Sequence, residues 1–220
     1  MCSNFQSITN AQADWVQEQF QCVLPLESWR EEIYPAYQAP FIWLDEGKPR
    51  CDLAEFGLVS AWAADKAKFG LHTYNARSET IATKPSYRNA WKKNQFGLAV
   101  MQSFYEPNYG SGKAIRWRIK RLDSTPIAVA SIWERFVHHD TGEIKFSFSM
   151  VTVNADQHKI MRQFHKPGDE KRAIVTLQDT DYHTWLQVKH EQAPEYLKLS
   201  PDNFLEAEPA PRKMVTSQKL

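Results

Sequence analysis

Residues 95–106 read QFGLAVMQSFYE, and this stretch decides the fold class. It is apolar, rich in aromatic and β-favouring side chains, and it ends at the turn-forming NYGSGK of residues 108–113. A run of this composition bounded by Gly and Asn reads as a strand. Working outward, AIRWRIKRL (114–122), PIAVASIWERFV (126–137) and IKFSFSMVTV (144–153) repeat the pattern downstream, with HHDTGE (138–143) as a further turn. AEFGLVSAW (54–62) repeats it upstream, after PLESWREEIYPAYQAPFIWL (25–44), a Pro-punctuated loop that runs into a strand. Helical patterns are fewer: Asp14 to Phe20, SYRNAWKKN (86–94) and DYHTWLQVKH (181–190). The expected class is α+β, a single mixed domain with a barrel-like β core and a few flanking helices. The domain is expected over 1–205. From Pro194 the composition turns polar and Pro-rich, and residues 206–220 are expected to be a flexible tail.

The 220 residues carry 27 Lys plus Arg against 26 Asp plus Glu, an ordinary globular balance that fits one domain. No run approaches the ~18 apolar residues of a membrane helix, and MCSNFQSITN lacks the features of a signal peptide. The expected location is therefore cytoplasmic, with no membrane partner. Three cysteines without a C-x-x-C exclude a disulfide framework and a cysteine-rich zinc site, so no metal or cofactor is expected. Gly-rich phosphate loops, H-E-x-x-H and G-x-S-x-G are all absent.

Charge is uneven along the chain. Residues 84–121 hold nine Lys or Arg, including Arg116 and Arg118, and one acid, Glu106. Interleaved with Tyr87, Trp91, Phe104, Tyr105, Tyr109 and Trp117, such a segment reads either as a surface for single-stranded nucleic acid or as a solvated face paired with acids elsewhere. Trp62, Trp91 and Trp133 read as core anchors, since aromatics in β-rich runs pack inward.

Cys2 is the most unusual feature. Trimming of Met1 leaves a first residue with an α-amine beside a thiol, and such an amine ordinarily titrates at roughly pH 7.7 to 8.0. An aldehyde can form a Schiff base with that amine, and the sulfur can then close a five-membered thiazolidine.

Together, Met1-Cys2, EFGLVSAWA (55–63), TYNARSET (73–80), KPSYRNAW (84–91), SFYEP (103–107), GKAIRWRI (112–119), SIWERF (131–136) and TVNADQHKIMRQFHKPGDEKRAIV (152–175) resemble the SRAP (SOS response-associated peptidase) family. The resemblance implies a DNA-damage protein, associated with DNA, that covalently captures abasic sites in single-stranded DNA; a monomer is expected. It implies Cys2 as nucleophile, Asn75 as the group orienting the cysteine terminus or sugar, and Glu106 as proton acceptor and donor. His165 is implied on the deoxyribose. Arg77 and Arg172 are implied as phosphate binders, with Thr152 a neighbouring polar contact; Arg116 and Arg118 join them as candidate DNA contacts from the basic segment. His158 competes with His165, but NADQHKIM places it at a turn or cap. Two other readings stay open: a thiol peptidase using Cys2 and His165, and a noncovalent single-strand binder. The sequence departs from the family pattern at Ser3-Asn4, where the usual arginine is missing, at Ser60, at Gly97-Leu98-Ala99-Val100, at Arg172-Ala173-Ile174 and at Pro107, which stands where tryptophan is usual.

Overall fold

The computed structural model describes residues 2–63, 65–138 and 141–212. The first half of the chain gives β1 (Phe5–Ser7), α1 (Ala13–Phe20), β2 (Glu32–Ile33), β3 (Gln38–Asp45), β4 (Lys48–Phe56), α2 (Lys66–Gly70), β5 (Asn75–Arg77) and α3 (Arg88–Lys92). The second half gives β6 (Phe96–Asn108), β7 (Ile115–Arg121), β8 (Ile127–Val137), β9 (Ile144–Asn154), β10 (Arg172–Ile174), α4 (Tyr182–Gln187) and β11 (Leu205–Pro209). Five strands close a barrel. β4 pairs with β3, β3 with β6, β6 with β8 and β8 with β9, all antiparallel, and β9 returns to β4 in parallel. This is the expected α+β class with a barrel-like core. Among the described residues no helix is long and apolar enough to cross a membrane.

Within the barrel β3, β6, β8 and β9 are largely apolar on both sides because both sides are covered, while β4 keeps a half-exposed face. Phe41, Ala99, Met101, Val129 and Phe148 face one cluster with Phe5 and Phe104, while Ile42, Leu98, Val100, Ala130 and Val151 pack with Val16, Phe20, Trp91 and Trp185 of the helices. Two-sided burial is what turns an alternating strand into a continuous apolar run. At the barrel centre Phe148 stacks on Phe41 and Phe56 at 4.9 and 5.3 Å between ring centroids. Gly97 makes room for this: a Cβ there would lie 2.4 Å from the Phe41 ring and 2.7 Å from the Ile42 carbonyl oxygen.

β6 outlasts the barrel. Its first half, Phe96 to Met101, pairs with β8, and its second half, Phe104 to Asn108, pairs with β7. Between them the register with β1 slips, since Phe5 and Gln6 oppose Phe104 and Ser103 but Ser7 opposes Met101. Gln102 is the extra residue of this β-bulge, and its side-chain amide donates to the Ser7 carbonyl at 2.8 Å. One extra residue reverses the alternation downstream. Ala99 and Met101 face the barrel interior, and after the bulge Phe104 and Glu106 do.

Three expectations are corrected. The run 54–62 is a strand only to Phe56, because Gly57 has φ +131° and would bring a Cβ within 2.2 Å of the Gly70 carbonyl oxygen, a path open to glycine alone. Trp62 lies in the loop that follows and is 58% exposed, resting edge-on against Phe69 at 5.1 Å, whereas Trp91 and Trp133 are buried as expected. Residues 206–209, placed by composition in the tail, belong to β11, which pairs with β7 from Leu205↔Arg121 to Pro209↔Trp117. Its alternating Glu206 and Glu208 meet Lys120 and Arg118, so complementary charge replaces apolar content. Residues 213–220 of the expected tail, and residues 139–140 of the HHDTGE turn, lie outside the described residues.

Candidate active site

Where β1, β5 and the extension of β6 meet, four sequence-predicted residues come together. Cys2 is 1% exposed within the interior cluster, and its thiol donates to the Asn4 carbonyl at 3.6 Å. Asn75 opens β5, whose parallel pairing with β9 sets Asn75 opposite Met150. Its Nδ2 donates to the Cys2 carbonyl at 2.7 Å, and its own carbonyl accepts from the Tyr87 hydroxyl at 2.9 Å. The buried Oδ1 of Asn75 has no hydrogen-bond partner among the described residues. Glu106, 4% exposed, holds His165 Nε2 at 3.1 Å. His165 sits at φ +66°, a left-handed backbone that costs a non-glycine residue about 1 kcal/mol. Its N–H donates to the Pro107 carbonyl at 3.0 Å and its carbonyl accepts from Lys171 Nζ at 3.3 Å, which fixes the ring against β6.

Burial pushes the Cys2 thiol far above its ordinary range, and the Glu106 carboxylate pushes it further. Burial, then the charges of Cys2 and Glu106, also raises the Tyr74 hydroxyl, which puts Tyr74 beside the same groups. Tyr74 lines a cleft of about 580 Å³ together with Arg77, His165, Asp169, Glu170 and Arg172. The cleft joins solvent to the Glu106–His165 pair.

The two arginines at this cleft differ. Arg77 is half exposed and bound at 2.9 Å to Glu170. Arg172 is 2% exposed and saturated: Nη1 and Nη2 meet Glu79 at 3.1 and 2.9 Å, Nη1 meets Glu170 at 2.6 Å, Nη2 donates to the Thr152 carbonyl at 2.8 Å, and Nε donates to its hydroxyl at 3.3 Å. Thr152 is fully buried. Neither Arg172 nor Thr152 is presented to a ligand as the protein stands; they hold β10, β9 and the chain around Glu79 together. Burial pushes the Glu79 carboxyl up, but Arg172 outweighs this and holds it below its ordinary range, as it does Glu170.

Arg116 and Arg118 lie elsewhere. Glu106 is the register partner of Trp117, so those two side chains leave the β6–β7 ribbon on one face and Arg116 and Arg118 leave on the other. There Arg116 stacks over the Tyr105 ring at 3.3 Å, donates to Asn4 Oδ1 at 2.8 Å and pairs with Glu32, while Arg118 donates to Ser103 Oγ at 3.1 Å. Arg116 thus sets a cation beside Asn4, paired there with Glu32. His158 is a buried cap, its Nδ1 accepting from the N–H groups of Ile160 and Met161 at 3.1 and 3.2 Å. Sequence reasoning did not single out Tyr74, although it immediately precedes Asn75, and it had no signal for Gln102, whose role is set by register.

The chain is 29% identical over 174 residues to the abasic site processing protein YoqW of Bacillus subtilis, covering 76% of this chain and 73% of that protein. It is 26% identical over 167 residues to the abasic site processing protein YoaM of the same organism, covering 76% and 69%. Among solved structures, a protein from Bordetella bronchiseptica superposes with a TM-score of 0.86 at 29% identity over 95% of this chain and 99% of that one. One from Bacteroides thetaiotaomicron shares the fold, with a TM-score of 0.78 at 19% identity over 94% and 90%. The model of the SOS response associated peptidase (SRAP) family matches residues 1–216, and the chain belongs to that family.

Proposed function

We propose that this protein captures abasic sites in single-stranded DNA as a covalent thiazolidine on Cys2, shielding the lesion during the DNA-damage response. The observation that carries this reading is the convergence of Cys2, the Asn75 clamp on its carbonyl and the Glu106–His165 pair, of which His165 lines a cleft open to solvent. With Met1 removed, Asn75 would hold the new terminus by its Nδ2 and offer its unpartnered Oδ1 to the α-ammonium. Glu106 would take the ammonium proton, and His165 would protonate the ring oxygen of the sugar so that the aldehyde opens. The free amine adds to the aldehyde carbon, the carbinolamine loses water to give an imine, and sulfur adds to that carbon while the thiol proton passes to nitrogen. Atoms and charge balance without an oxidant.

The raised thiol pKa fits this order, with the amine attacking first and sulfur closing second. It weighs against a thiol peptidase, which needs a thiolate favoured by a neighbouring imidazolium. Here His165 Nε2 is held by Glu106, and the Cys2 thiol points to a backbone carbonyl. Buried Cys2 and Glu106 suit a sugar without a base reaching in from an unpaired strand, where no base pair has to be broken. Arg77 would grip the backbone at the cleft mouth by exchanging Glu170 for a phosphate, with Arg172 and Thr152 supporting that corner.

The test is denaturing electrophoresis of the protein mixed with uracil-containing single-stranded DNA treated with a uracil glycosylase. Wild type should give a heat-stable adduct. Cys2→Ala, Cys2→Ser and a chain that retains Met1 should not. Undiminished adduct from Cys2→Ala without reductant would remove Cys2 from the chemistry.

A further inference from the structure

A second pocket of about 640 Å³ opens beside the site, on the same face of the ribbon as Glu106. Its walls are Asn108 and Ile115, paired across β6 and β7, then Trp117 and Pro209, paired across β7 and β11, with Gln163 closing one end. Trp117 is at once the register partner of Glu106 and of Pro209, so carboxylate, indole and proline ring stand in a row across three strands. The indole is half-buried and braced edge-on by Phe164 at 6.0 Å. Phe164 precedes His165, and its segment runs along β6 through the Asn108↔Phe164 bridge and the 3.2 Å bond from Asn108 Nδ2 to the Gln163 carbonyl. The same few residues therefore fix both the catalytic pair and the pocket wall.

Taking the capture reading as its basis, the geometry points to this pocket as the seat of the nucleobase next to the abasic sugar. Asn108 lies two residues along β6 from Glu106, about 7 Å at strand rise, the scale of one nucleotide step. A flat apolar wall with an indole and a proline suits the π-face of any base, and such stacking carries no sequence preference. The loop containing Gly110 and Ser111 and the segment containing Gln163 border the pocket, and each carries an exposed cation, Lys113 and Arg162, placed for the phosphates on either side of the seated base.

The probe is a single-stranded oligonucleotide carrying an unreactive tetrahydrofuran spacer in place of the abasic sugar, with 2-aminopurine on either side of it or four nucleotides away. Wild-type protein should quench the fluorophore at one adjacent position and leave the distant one bright. Trp117→Ala should relieve the quenching and weaken binding roughly 10-fold, and Trp117→Phe should restore both. Ile115→Glu, at an exposed position where folding is not at stake, should act like Trp117→Ala. Quenching and affinity unchanged in both Trp117→Ala and Ile115→Glu would overturn the pocket. The same proteins with a true abasic site report separately on capture. Trp117→Ala should raise the half-saturating DNA concentration for adduct formation, and Trp117→Phe should bring it back towards the wild-type value. Trp117-dependent quenching in a wild-type protein that forms no adduct would sink the capture reading and keep the pocket.

Discussion

The two halves of β6 do different work with the same kind of sequence. Phe96 to Met101 is buried on both faces within the barrel, with Leu98 and Val100 against the helices and Ala99 and Met101 in the interior. Phe104 to Asn108 leaves the barrel and has one interior face, carrying Phe104 and Glu106, and one outer face, carrying Tyr105 under Arg116. The Gln102 bulge separates them. Without it the alternation that puts Ala99 and Met101 inside would put Ser103 and Tyr105 inside, and Glu106 would face away from Cys2. The position of the proposed catalytic carboxylate, at the end of a core strand, thus depends on a one-residue defect in pairing. The barrel half is packed on both faces and the ribbon half carries the proposed proton carrier, so substitutions in the two should fail in different ways.

The largest effect should come from the ribbon half. Glu106→Gln keeps the shape but removes the proton acceptor, and His165→Ala removes the proposed acid, so each should slow single-turnover capture by about 10²-fold or more at neutral pH. The Glu106→Gln defect should shrink as pH rises through about 8, where the α-amine is free without help. His165→Ala should also slow adduct reversal. Superimposable pH–rate profiles for wild type and both variants would reduce the site to proximity alone.

The barrel half should break the other way. Gly97→Ala forces a methyl into the Phe41 ring and the Ile42 carbonyl, contacts that neither a ring in a stacked core nor a strand backbone can relieve freely. Overpacking of this kind costs roughly 2 kcal/mol, or ~6 °C in melting temperature for a chain of this size. Capture per folded molecule should stay at the wild-type rate. A rate loss comparable to that of Glu106→Gln, measured well below the melting transition, would mean that the two halves are mechanically coupled through the bulge.

What could be read from sequence follows the same division. The strands at 96–108, 127–137 and 144–154 are legible because burial writes long apolar runs, β7 because Ile115, Trp117 and Ile119 alternate with basic residues, and α1 because its buried Val16 and Phe20 recur at helical spacing. β4 is obscured by Pro49, Arg50 and Asp52, which its half-exposed face tolerates, and β11 by a polar composition that works only opposite Lys120 and Arg118. Cys2, Asn75, Glu106 and His165 are legible as a set by resemblance, and their convergence is a matter of register. The saturation of Arg172 by Glu79 and Glu170 is not legible, because it depends on residues 93 and 2 positions away that only the fold brings to one guanidinium. Nor is the face on which Arg116 and Arg118 emerge, since it is decided by the pairing of Glu106 with Trp117 rather than by the charge of the segment.

That last point yields the smallest and most discriminating test, between the two faces of the ribbon half. Arg77 stands at the cleft mouth with a half-exposed side chain and one carboxylate partner, whereas Arg116 is held on the opposite face by Glu32, Asn4 and the Tyr105 ring. If the DNA backbone crosses the cleft, Arg77→Ala should weaken binding to single-stranded DNA whatever its base sequence, and should make the logarithmic salt dependence shallower by about 0.7, the value of one lost phosphate contact. Arg116→Ala should change the slope by less, because its charge is already compensated within the protein and faces away from Glu106. Arg172→Met should lower stability before it lowers affinity. Its destabilisation should fade as pH falls below about 4, where Glu79 and Glu170, held low in the folded wild type, take up protons and wild type loses the same interactions. Binding titrations from low to moderate salt for the three variants settle which face the strand follows. Equal slope changes for Arg77→Ala and Arg116→Ala would place phosphates on both faces, which requires the strand to wrap the ribbon around the end of β7 instead of crossing the cleft alone.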